Sequence, residues 1–168
     1  MTLAFPPGAV DGPRLRKAAA EFATGVTVIT TVLDDTPYGC VVNAVMSVSL
    51  DPPLMMACLG RTSSTRPMIA AAGLFAINVL PDTAAAREIC ATFAGKRDDK
   101  FASVGYGAGL TGAPLLVDTV ARFECVTETA QDLGDHTAFV GRVVAAERRD
   151  GDPLIFHRGR FLGLAETR

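Results

Sequence analysis

An antiparallel β-barrel with inserted helices is the fold class this sequence predicts. About seven runs rich in β-branched and other apolar residues recur at short spacing. Each is closed by Gly, Pro or Asp, as at Asp34-Asp35-Thr36-Pro37 and Asp51-Pro52-Pro53. Between the runs stand Ala-rich segments with capping residues at the front, which supply two or three helices. No linker, repeat or low-complexity tract divides the 168 residues, a length that fits one domain with a substantial core.

Residues 1–12 carry two prolines and two glycines and few anchors, so a mobile lead-in is expected. Asp11-Gly12-Pro13 offers a cap and a first-turn proline for a helix over Pro13–Ala23, with Gly25 just past its end. Val26–Leu33 is a β-branched strand, and Asp34–Pro37 turns it back into Tyr38–Val42 as a hairpin. Strand-like sequence then continues to Asp51-Pro52-Pro53, which stops it because proline has no N–H to give a sheet. Leu54–Leu59 is the next strand. Arg66–Ala72 reads as a helix closed by Gly73, and Leu74–Leu80 as a strand ended by Pro81. Asp82-Thr83 caps a helix reaching Phe93, since Ala84 to Glu88 are good helix formers. Gly95–Phe101 is a charged loop and Gly105–Gly112 a flexible, glycine-rich one. Ala113-Pro114 opens a strand region to Thr129, and Gly134-Asp135 starts another to Glu147. Arg148–Pro153 turns, and Leu154–Leu162 is a single closing strand.

Composition narrows the function. Charged residues are 20% and hydrophobic ones 49%, a globular balance. Lys and Arg number 16 against 18 Asp and Glu, and no basic block offsets the formal charge of −2, which argues against a nucleic-acid surface. Cys40, Cys58, Cys90 and Cys125 form no C-x-x-C and have no His at metal spacing, so no metal site is expected. Three of them sit in apolar runs and read as buried free thiols in a reducing cytoplasm. No apolar run approaches the ~20 residues of a membrane span, and the N-terminus lacks the order of a signal peptide. A soluble cytoplasmic protein is expected.

Small polar groups concentrate in Gly39–Thr65. Asn43, Ser47 and Ser49 punctuate apolar residues at even spacing, so a regular strand would place all three on one face. Gly60-Arg61-Thr62-Ser63-Ser64-Thr65 follows, hydroxyls beside a cation just before a helix. One hydroxyl suffices to cap that helix; three beside an arginine suit an anion, of which phosphate is the usual one. A polar-studded strand leading to such a cradle suits a ligand with a flat polar ring at one end and a phosphate at the other. Gly107-Ala108-Gly109-Leu110-Thr111-Gly112 matches G-x-G-x-x-G in letters only. Pro114 follows at once and no helix comes after it, so no helix N-terminus meets a pyrophosphate.

Six motifs in order give the chain a family resemblance. They are Phe22-Ala23-Thr24-Gly25 with Val26–Thr31; Asn43-Ala44-(x)2-Ser47-Val48-Ser49-(x)2-Pro52-Pro53; Cys58-Leu59-(x)-Arg61-(x)-Ser63-Ser64-Thr65; Phe93-Ala94-Gly95-Lys96 with Asp99-Lys100-Phe101; Gly134-Asp135-His136-Thr137; and Arg158-Gly159-Arg160-Phe161. Together they cover nearly the whole chain, which resembles the flavin reductase family with the FMN-binding split-barrel fold. That resemblance implies a Greek-key split β-barrel and hydride transfer from NADH or NADPH to FMN or FAD. It also implies a homodimer and a separate monooxygenase that takes the reduced flavin. Flavin contacts would fall to Asn43, Ala44, Ser47, Val48, Ser49, Cys58, Arg61, Ser63, Ser64 and Thr65, with Lys100 and Phe101 toward the phosphate or adenylate end. His136 would border the nicotinamide, as the catalytic or orienting residue. Val45 and Met46 stand where the family more often has Phe-Thr, so a hydroxyl contact to the ring is missing. Two other functions remain open at this point: a flavin-binding store or sensor without turnover, and a split-barrel oxidase of a pyridoxamine-type substrate.

Overall fold

The computed structural model describes residues 10–95, 97 and 99–164. Positions 1–9 of the expected lead-in, and Lys96, lie outside them. Among the described residues the chain runs α1 (Gly12–Ala19), β1 (Thr24–Gly25), β2 (Thr27–Leu33), β3 (Thr36–Val42), β4 (Val45–Leu50) and β5 (Pro53–Gly60). Then come α2 (Thr65–Ala72), β6 (Leu74–Val79), α3 (Ala84–Ala94), β7 (Tyr106–Ala108) and β8 (Pro114–Leu116). Two long strands, β9 (Ala121–Leu133) and β10 (His136–Arg148), precede β11 (Ile155–His157) and β12 (Arg160–Leu162). Every strand pair is antiparallel. No described helix is long and apolar enough to cross a membrane.

Seven strands form one sheet in the order β3-β2-β6-β9-β10-β5-β4. Its two end strands, β3 and β4, are consecutive in sequence, joined only by Asn43-Ala44. The sheet therefore curls until its ends approach, yet β3 and β4 do not pair. It is a split barrel, open along a seam between β3 and β5.

β2 shows no polar–apolar alternation because both its faces are buried, from Thr27 to Thr31 without a break. Ile29 packs inside the barrel with Leu59, Ile69, Phe75, Ile77 and Phe139. Val28 faces the other way, into a layer made with Leu80, Cys90, Phe93, Leu116 and Leu154. Full burial of each of these large side chains is worth about 1.5–3 kcal/mol. The threonines of β2 are satisfied inside: Thr27 Oγ1 donates to Val42 O (2.5 Å), Thr30 Oγ1 to Pro114 O (2.5 Å) and Thr31 Oγ1 to Leu74 O (2.8 Å). Asn78, fully buried on β6, donates to Val28 O (3.1 Å) and accepts from Leu116 N (2.9 Å), pinning β8 to the barrel.

Several boundaries differ from the sequence reading. α1 stops at Ala19, not Ala23, although Asp11 caps it through Arg14 N (2.8 Å). The β2–β3 turn needs only Asp34 and Asp35, both at positive φ, which Asp tolerates. Pro37 lies inside β3, an end strand with one neighbour. The supposed flexible glycine loop is the β7–β8 hairpin. Thr111 fastens it, giving its N–H (2.8 Å) and hydroxyl (2.9 Å) to the carboxylate of buried Glu124. The strand region expected from Pro114 to Thr129 breaks between Leu116 and Ala121, Gly134-Asp135 is the β9–β10 turn, and the closing strand folds into β11 and β12 about Arg158-Gly159. All four cysteines are free; Cys90 and Cys125 are buried, whereas Cys40 and Cys58 are half-buried.

Candidate active site

The seam between β3 and β5 opens into a cavity of about 580 Å³. One wall is the outer edge of β3, with Cys40, Val41 and Val42; the other is Cys58, Leu59 and Gly60 of β5. Asn43 and Ala44 close one end, and Phe93, Ala94 and Gly95 at the end of α3 form a third side. Because β3 pairs only with β2, alternate residues aim both backbone groups away from the sheet. Pro37 falls on that outward parity, so its missing N–H costs no ladder bond. Gly39 follows, its carbonyl accepting from Lys100 Nζ (3.2 Å), and Val41 comes next, on the cavity wall. α3 reaches this edge only because Gly39 lacks a side chain: a Cβ there would lie 2.7 Å from the Phe93 ring.

The helix α2 starts at the cavity rim. Its N-cap is Ser64, in helical conformation, and no side chain caps it. The expected capping hydroxyl is thus absent; Ser63 Oγ turns instead to Cys40 Sγ (3.5 Å), and Ser64 lines the cavity. Unused donors at a helix start suit an anion. A second chamber of about 320 Å³ shares Ser64 and Lys100 with the first and is also bounded by Tyr38, Thr65, Arg97 and Phe101. Lys100 Nζ is held by Gly39 O and Phe93 O, both at 3.2 Å. Phe101 meets Phe93 and Tyr106 edge-on, each at 5.0 Å between ring centres.

His136 opens β10 directly opposite Gly60 and lines the cavity from the far strand. Its Nδ1 lies 2.7 Å from Asp135 Oδ1. That bond holds the Asp135 carboxyl below the usual carboxylate range and leaves Nε2 for the cavity side. Burial pushes the Cys58 thiol up, so it behaves as a small apolar wall group.

Of the residues singled out in the sequence, Asn43, Ala44, Cys58, Ser63, Ser64, Lys100 and His136 line the main cavity. Thr65 and Phe101 belong to the second chamber. Arg61 turns away, its Nη1 donating to Gly134 O (3.3 Å). Ser47, Val48 and Ser49 lie outside both chambers, on β4, and a bulge between Ser47 and Ser49 breaks the parity that a regular strand would give them. Sequence reasoning missed Val41, Leu59 and the end of α3 as walls. The available signal was Gly39, a glycine inside a β-run, which marks a close approach.

Residues 19–165 match the family model described as the flavin reductase like domain. The chain belongs to the flavin reductase-like family. Among curated relatives of this flavin reductase-like chain, an FMN reductase (NADH) of Agrobacterium fabrum is 40% identical over 157 residues, covering 94% of this chain and 88% of that protein. The reductase subunit of a flavin-dependent monooxygenase from Rhodococcus jostii is 36% identical over 157 residues, covering 93% and 80%. Among solved structures, an NADH:FAD oxidoreductase of Streptomyces globisporus in complex with NAD and FAD fragments superposes with a TM-score of 0.87 at 35% identity, covering 93% and 94%.

Proposed function

We propose that the protein is an NADH-dependent flavin reductase that takes FMN or FAD and passes the reduced flavin to a separate monooxygenase. The observation that carries this reading is one cavity bordered by an uncapped helix start, a free strand edge and His136. These residues fit a flavin. Ser63, Ser64 and the first N–H groups of α2 suit a phosphate. The free backbone groups of β3 offer the alternating donors and acceptors that the polar edge of the ring system demands. Cys40, Val41, Ala44 and Cys58 supply apolar surface, and the volume lies in the range of cofactor sites.

Bound flavin supplies the acceptor nitrogen for a hydride from the nicotinamide, so the protein needs neither nucleophile nor metal of its own. What the chain contributes is alignment. The α2 start would hold the phosphate and the β3 edge the ring system, and backbone N–H groups along that edge would favour negative charge there. In the tautomer that donates Nδ1–H to Asp135, His136 offers Nε2 as an acceptor, suited to a carboxamide N–H of the second ring. NADH rather than NADPH follows the names of the curated relatives. The reading includes a homodimer, supported by three exposed apolar side chains on β4 (Met46, Val48 and Leu50, 53%, 46% and 90% exposed). Steady-state oxidation of NADH and NADPH by the purified protein, with FMN and with FAD, tests the function. Turnover with NADH is expected; tight flavin binding without nucleotide oxidation would make the protein a flavin store instead.

A further inference from the structure

A polar cluster joins the start of α2 to the turn that carries His136, and its members line neither chamber described above. Asp132 and Thr137 are directly opposed on β9 and β10, flanking the Gly134-Asp135 turn. Thr137 Oγ1 donates to Asp132 Oδ1 (2.6 Å). From the other side, Arg66 Nη1 donates to Thr137 Oγ1 (3.3 Å) and lies 3.9 Å from Asp132 Oδ1. Arg61 Nη2 is 4.0 Å from Asp132 Oδ2, while its backbone N donates to Asp135 O (2.9 Å). Three side chains therefore converge on one carboxylate. Thr137 first, then Arg61 and Arg66, hold the Asp132 carboxyl below its usual range.

Local physics does not favour Arg66 where it stands. It occupies the first turn of α2, where the helix dipole disfavours a cation, with Arg61 close by. Asp132 supplies the counter-charge from the neighbouring hairpin. Exposed pairs of this kind add little stability, so their use here is geometric.

We propose that Asp132 is a positioning residue: through Arg61, Arg66 and Thr137 it locks the phosphate end of the site to the strand that begins with His136. The inference rests on the flavin reductase reading above. A phosphate seated at Ser64 then sets the distance between the flavin ring and His136. A flavin without a phosphate, such as riboflavin, gains nothing from the lock.

The test compares FMN with riboflavin as acceptors at saturating NADH, in the wild type and in Asp132→Asn, Asp132→Ala and Asp132→Glu. Asp132→Asn keeps the side-chain volume and so carries the test if Asp132→Ala fails to fold. In Asp132→Asn, kcat/KM with FMN is expected to fall about 5-fold or more, a coupling at the lower end of the usual range. Riboflavin turnover should stay within about twofold of the wild type, and Asp132→Glu should recover most of the FMN loss. Equal losses on both flavins would reduce Asp132 to a structural role and overturn the proposal, as would an unchanged FMN rate. A wild type that reduces neither flavin would instead overturn the functional reading on which the proposal stands.

Discussion

Ser64 occupies the N-cap of α2 without capping it, so its hydroxyl supports no bond of the helix. Ser64→Ala is therefore expected to leave the melting temperature unchanged while raising the FMN dissociation constant about 10-fold, the scale of one lost charge-assisted hydrogen bond. A fluorescence titration of flavin checks this, and riboflavin affinity should not change; equal weakening of both would point to a general distortion. The sequence revealed the hydroxyl cluster but misjudged its division of labour. A run of three hydroxyls before a helix reads as cap plus cradle, and only the backbone conformation at Ser64 shows that none is spent on capping. Ser47 and Ser49 lie outside the cavity for a different reason. Alternation assumes a regular strand, and the bulge beside Val48 is a pairing property that no single strand reveals.

Elements whose signals are local were legible. Thr83 caps α3 by accepting from Ala86 N (3.1 Å), and Gly73 closes α2 at φ 69°, both as capping chemistry predicts. Contacts between elements were not legible, because Gly39 gives no hint of which ring fills its vacancy. Gly39→Ala should lower stability by about 1–3 kcal/mol, the usual cost of overpacking, read as a drop in melting temperature. Unchanged melting would mean that α3 shifts freely against β3. The β11–β12 hairpin is tied to the segment after α1 by Arg158, whose Nε lies 2.9 Å from both Glu21 carboxylate oxygens. Arg158 depresses the Glu21 pKa, so the stabilisation is present above the unfolded-state carboxylate pKa and is lost as pH falls through the lower folded value. The pair is exposed but bidentate, so its contribution is small: Glu21→Gln should melt slightly earlier than the wild type at neutral pH, and thermal scans of the two should converge in acid. A difference that persists below the carboxylate range would assign the effect to packing instead.

The molecule as a whole is a sheet whose two end strands are joined by two residues and still do not pair. That failure to close creates the site, since β3 keeps a free edge and β5 faces it across the seam. The fold class followed from strand and turn chemistry alone, and the order of the motifs along the chain carried the family. The seam could not be read, because it depends on which strands remain unpaired after all seven have found places. It also decides which polar residues border the cavity: Asn43, Ser63 and Ser64 do, whereas Ser47 and Ser49 on β4 do not. The most direct test is a crystal structure of the protein soaked with FMN. The account predicts the phosphate within hydrogen-bond distance of Ser64 and the start of α2, with the ring along the β3 edge and one face open toward His136. Flavin bound outside the β3–β5 seam, or with its phosphate away from α2, would contradict it.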